Sequence, residues 1–109
     1  MSALPSRWEG IEDRVPDSLD DLRGPAAGTV ALPLHLAWSG LREFDMSNPR
    51  LRMSMYRTVI TGGGRADAVA YLNAATLAAD WPTLRMGLGP RYRRAWEDKH
   101  VMLAFGERG

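Results

Sequence analysis

Glycine and proline cut this chain into pieces too short for anything but brief helices and strands. Arg23-Gly24-Pro25, Gly62-Gly63-Gly64 and Gly87-Leu88-Gly89-Pro90 are the three breaks. Glycine closes helices by reaching backbone conformations other residues avoid, and proline cannot continue one because it lacks the N–H and its ring clashes with the preceding turn. The best-bounded piece lies between the first two. Ser47 or Asn48 is placed to cap it, and Pro49 suits the first helical position. Leu51, Met55, Tyr56, Val59 and Ile60 then form an apolar stripe at helical spacing. Arg50, Ser54, Arg57 and Thr61 line another face of the same helix, which is predicted over residues 49–61.

The remaining pieces are read in the same way. Residues 65–80 are alanine-rich, with Val69, Leu72, Leu77 and Trp81 supplying large apolar contacts. Asn73 is expected to divide this stretch into two helices, since asparagine caps better than it continues. Asp80 is placed to cap a further turn from Pro82 to about Met86. Pro90 opens a last helix with Tyr92, Trp96, Lys99 or His100, and Leu103 on one side, and Gly106 ends it.

The first third has a different texture. Residues 1–28 are rich in proline, glycine and acids, and are expected to be irregular apart from one turn, capped by Asp17 or Ser18, at Leu19-Asp20-Asp21-Leu22. Their few large apolar side chains imply order only against the rest of the molecule or a partner. Residues 29–38 read TVALPLHLAW, whose alternation fits a half-buried strand that Pro33 interrupts. A short extended piece followed by a helical turn reconciles both signals. The expected fold is therefore mainly α: a small bundle of four or five short helices with an irregular, partly extended N-terminal arm. Residues 1–28 form the acidic arm and residues 29–109 a single helical domain.

Charge divides along the same line. Residues 1–48 hold four arginines against eight acids, a net −4, whereas residues 49–109 hold ten basic residues against five acids, a net +5. Either the acidic arm lies over the basic half, or the basic half guides an acidic partner or nucleic acid.

Several chemistries are excluded or left without support. The chain has no cysteine, which removes disulfides, thiolate catalysis and cysteine-based metal sites. Its histidines, His35 and His100, stand far apart and in no recognisable motif, so neither a metal cluster nor a nucleophile–base pair is indicated. His35, within an apolar stretch, reads as a core or boundary residue. Asp20-Asp21 and Glu97-Asp98 are adjacent pairs, which do not face one another on a helix and read as helix-end and surface charges. Gly62-Gly63-Gly64-Arg65 lacks the following Lys-Ser/Thr of a phosphate loop and reads as a helix stop. No catalytic residue, cofactor or metal is expected. The N-terminal sequence has no apolar run of the signal-peptide kind, and no apolar stretch approaches the roughly 20 residues a membrane span needs, so a cytoplasmic protein is expected.

Four tryptophans and an arginine-rich second half remain. Both residue types dominate protein interfaces, and arginine with aromatics also suits nucleic acid. Trp38, Arg50, Arg57 and Trp96 are the expected partner contacts. The alternative is a small DNA-binding regulator using residues 90–104, where Arg91, Arg93, Arg94 and Lys99 interleave with Tyr92 and Trp96.

Four segments carry a resemblance: LPLHLAWSG at 32–40, FDMSNPRLRMSMYRTVITGG at 44–63, YLNAATLAADWPTLR at 71–85, and RRAWE at 93–97. They resemble a group of small actinobacterial proteins encoded beside a nucleotidyltransferase-type toxin of the abortive-infection class. The resemblance implies an antitoxin that binds and neutralises its cognate toxin by direct contact. Toxins of that class carry a Gly-Ser followed by spaced catalytic aspartates. This chain has no Gly-Ser dipeptide, so the resemblance places it as the partner and not the transferase. Related antitoxins often carry a winged DNA-binding domain, a pattern not found here.

Overall fold

A computed structural model describes residues 13–37, 42–101 and 103. Among these, the chain is mainly helical, with four α-helices and one two-stranded sheet. A 3-10 turn at Leu19–Asp21 precedes the sheet, its Ser18 side chain accepting from the Asp20 N–H. Strand β1 (Thr29–Ala31) pairs antiparallel with β2 (Glu43–Asp45) in the register Val30↔Phe44. Those two side chains are buried, while Thr29, Ala31, Glu43 and Asp45 face outward. Gly28 enters β1 at φ +86°, a left-handed conformation that glycine adopts without steric cost. Beyond β1 the expected helical turn is present: the N–H groups of Leu36 and Ala37 both donate to the Pro33 carbonyl.

Helix α1 (Pro49–Gly62) begins where the sequence places it. The Asn48 side chain accepts from the Arg50 and Leu51 N–H groups, and Pro49 occupies the first turn. Gly63 ends it in an extended conformation. Helix α2 (Arg65–Tyr71) follows, and Asp67 accepts from the Gly64 N–H at 2.9 Å to close its start. Asn73 then divides the alanine-rich stretch as expected, accepting from the Thr76 N–H to cap α3 (Ala74–Leu84).

One helix boundary differs from the sequence reading. Asp80 does not cap a new turn at Pro82; α3 runs through both residues to Leu84. Leu77, Trp81 and Leu84 are buried at helical spacing, and this packing holds the helix past the proline, whose ring is exposed. A 3-10 turn (Arg85–Gly87) leads to α4 (Pro90–Lys99), which His100 caps. The stop expected at Gly106 lies outside the described residues.

The core gathers Met55, Tyr56, Val59 and Ile60 from α1, Leu77, Trp81 and Leu84 from α3, and Trp96 from α4. The Trp81 and Trp96 rings lie 6.3 Å apart between centroids and tilted by 38°, within the usual range for aromatic pairs. The N-terminal arm joins this core where it is described. Val15, Pro16 and Leu22 are buried, and the Arg23 and Gly24 N–H groups donate to the Val69 and Leu72 carbonyls. Residues 13–24 are thus ordered against the helices. No helix among the described residues is long and apolar enough to cross a membrane.

Candidate protein-docking face

Two of the four expected contacts share a surface. Arg50 and Arg57 are both exposed and stand on the face of α1 opposite its buried stripe. Seven residues separate them, which is nearly two helical turns, or about 10 Å of rise. Trp96 is corrected: at 2% exposure it is a core residue, its ring tilted against those of Trp81 and His100, because α4 turns this ring inward. Trp38 lies outside the described residues.

Of the three arginines on α1, these two differ from the third in meeting no carboxylate among the described residues. Arg52, two residues beyond Arg50 and so on another side of the helix, forms a two-pronged pair with Asp80 at 2.6 and 2.9 Å and donates again to the Met46 carbonyl. That pairing holds the Arg52 pKa above its ordinary value. Arg85 is held by Glu97, and Arg65 meets Asp17 at 4.0 Å. Among the described residues neither Arg50 nor Arg57 meets a carboxylate. Arg50 also sits in the first turn of α1, which contains no acid, so its charge opposes the positive pole of the helix dipole. Such a placement costs roughly 0.3–1 kcal/mol.

Arg57 lies against the turn that follows α3. A Cβ added at Gly87 would stand 2.8 Å from the Arg57 Nη1, so the guanidinium covers that glycine. Met86, next in the chain, is 78% exposed. At the other end of the face, Asn48, Pro49, Arg50 and Met53 line a shallow depression of about 430 Å³. The surface thus combines two unpaired guanidinium groups with methionine and proline. Sequence periodicity identified its arginines but missed Met53 and Met86. A weak signal for Met86 was its position between Arg85 and Gly87, beyond the last buried residue of α3.

The basic last helix is largely committed to the fold. The Tyr92 hydroxyl donates to the Thr61 carbonyl, Trp96 is buried, and Lys99 donates to the Val15 carbonyl and pairs with Asp17. Arg91 and Arg94 are exposed.

The histidines also resolve. His35 is corrected from core or boundary to surface: its side chain is 59% exposed and its Nε2 lies 3.0 Å from Asp67 Oδ1. The other Asp67 oxygen serves the Gly64 N–H, so the pair ties the 33–37 turn to the start of α2. His100 is buried and its Nε2–H donates to the Pro16 carbonyl at 2.8 Å. Burial pushes its pKa below the ordinary value. Among the described residues no three or more His, Cys, Asp or Glu side chains are grouped to hold a metal ion. No family model, curated protein or solved structure matches the chain.

Proposed function

We propose that this chain is a cytoplasmic antitoxin that binds and neutralises a cognate nucleotidyltransferase-like toxin by direct protein–protein contact. The choice of partner rests on the resemblance of residues 29–97. The structural observation that supports partner binding is the pair Arg50 and Arg57, which share one exposed face of α1 and, among the described residues, meet no carboxylate, whereas Arg52 on the same helix is paired. Arginine at the centre of an interface contributes strongly to affinity, and an arginine left unpaired in the free protein is ready to take a partner's acid. In this reading the chain performs no chemistry of its own.

Charge offers the partner a second region. A toxin that handles nucleoside triphosphates and tRNA has a basic cleft, and Asp20 and Asp21 are exposed acids on the N-terminal arm. The alternative, a DNA-binding regulator, would use Arg91 and Arg94 on α4, with Tyr92, Trp96 and Lys99 already engaged inside the fold.

Co-expression with the adjacent open reading frame tests the proposal. The expected result is a single co-purifying complex and restored growth of cells carrying the toxin. Failure to co-purify overturns it. Retention on duplex DNA at low salt, lost steeply as salt rises, favours the regulator instead.

A further inference from the structure

We propose that the α1 face running from Arg50 to Arg57, extended by Met86, is the docking site for an acidic amphipathic helix of the protein partner. This rests on the partner-binding reading above and adds which face is used and what chemistry it takes.

The spacing of the charges defines the occupant. Two guanidinium groups nearly two turns apart on one helix match two carboxylates at positions i and i+7 of another helix laid alongside. Between them the surface is not purely polar. Pro49 and Met53 line the shallow depression beside Arg50, and Met86, an exposed methionine, immediately precedes the glycine that the Arg57 guanidinium covers. Methionine adapts its shape to an incoming apolar group, and so suits a helix stripe better than a rigid base edge. A carboxylate at Arg50 would also relieve the unfavourable placement of that charge at the α1 N-terminus.

The rim argues for protein over nucleic acid. Asp45 ends β2 beside the α1 cap, its carbonyl accepting from the Asn48 N–H at 3.0 Å. Two hydrogen bonds from Ser47 keep its carboxylate ionised, and Glu43 is exposed on the same strand. A phosphate backbone carries charge at every step, so one running from Arg50 along β2 would bring negative charge against these acids. A protein helix carries carboxylates only where they are needed, and can be neutral or basic opposite β2.

The test compares full-length wild type with the Arg50→Glu/Arg57→Glu double variant in binding to the co-purified toxin. Both positions are exposed, so the variant is expected to fold. Arg50→Glu also places an acid in the first turn of α1, and the free variant is expected to melt no lower than wild type. Binding is expected to weaken by about 100-fold or more, because two interface arginines are reversed. Arg23→Glu, on the arm, controls for reversal of a single charge outside this face and should stay within a few-fold of wild type. Equal binding by wild type and double variant overturns the docking face and leaves the antitoxin reading standing. If wild type does not bind the toxin at all, that reading fails and the face is tested separately. The isotope-labelled full chain is then titrated with a synthetic helical peptide carrying glutamates at i and i+7 and leucines between. Amide shifts concentrated on residues 49–61 and 86 support the proposal. Shifts that are absent, or that a short duplex DNA reproduces at the same salt, overturn it.

Discussion

Glu97 illustrates what one side chain contributes here and why the sequence could not reveal it. The adjacent pair Glu97-Asp98 reads as surface charge, and Asp98 is indeed exposed. Glu97 instead accepts from the Trp81 indole N–H at 2.8 Å and from Arg85 Nε at 2.6 Å. Arg85 foremost, with Trp81 assisting, holds its carboxyl below the usual range. Its partners lie 12 and 16 positions away on other elements, a separation that helical periodicity does not register. The same blindness affected His35, whose acceptor Asp67 is 32 positions distant. Caps are a different case, because they act within three residues. Asn48 and Asn73 were therefore legible. Glu97→Ala strands the indole N–H of a fully buried tryptophan and is expected to cost about 2–3 kcal/mol. Urea denaturation measures this. Glu97→Gln keeps an acceptor for the indole and should fall between the two. An alanine variant as stable as wild type would show that the indole N–H needs no protein partner.

At the level of elements, the helices were legible and their docking was not. The α1 stripe and the Gly62-Gly63-Gly64 stop are local patterns and appear where expected. The boundary at Pro82 was misread because α3 is held by contacts that cross between helices. Asp80 is drawn to Arg52 on α1, while Leu77, Trp81 and Leu84 bury the other face. The arm shows the same gap between pattern and packing. Gly24 reads as a helix stop, yet its position is fixed by the close passage of the arm over the end of α2. A Cβ there would stand 2.3 Å from the Tyr71 carbonyl carbon and 2.4 Å from its oxygen. These are backbone atoms, which no rotamer change can move aside. Gly24→Ala is expected to separate the arm from α2, strain the Gly24 N–H···Leu72 and Arg23 N–H···Val69 bonds, and cost about 2–3 kcal/mol. Hydrogen exchange reads the location directly: the Arg23 amide should lose protection well before those of α1. Uniform loss across the molecule, or none, would contradict a local wedge.

For the molecule as a whole, the charge split of the sequence is partly answered within the chain. Asp17 bridges Lys99 at 3.1 Å and Arg65 at 4.0 Å, but its side chain is 74% exposed, so these pairs alone hold the arm weakly. The firmer anchors are uncharged acceptors: Val15 takes the Lys99 ammonium, and Pro16 takes the His100 imidazole in a buried setting. That burial makes the arm's attachment pH-dependent. Loss of solvent around His100 lowers its pKa first and Lys99 adds to this, while the Pro16 carbonyl and Asp17 partly oppose it. With the folded pKa below the ordinary value of 6.5, the unfolded chain binds more protons than the folded one in the interval between the two. Stability contributed by neutral His100 is therefore complete above that ordinary value and is lost as pH falls through the folded one. Glu97 and Asp17, also depressed, add a second loss only at pH values below the usual carboxylate range. Acidification from about pH 7.5 to about 5.5 should therefore lower the urea midpoint before any carboxylate titrates. His100→Gln, which retains a donor toward Pro16 but cannot titrate, should start lower because the contact with Trp96 is lost, and should flatten this first slope. The slope separates the titration from simple destabilisation, so an unchanged slope in the variant would remove His100 as its source.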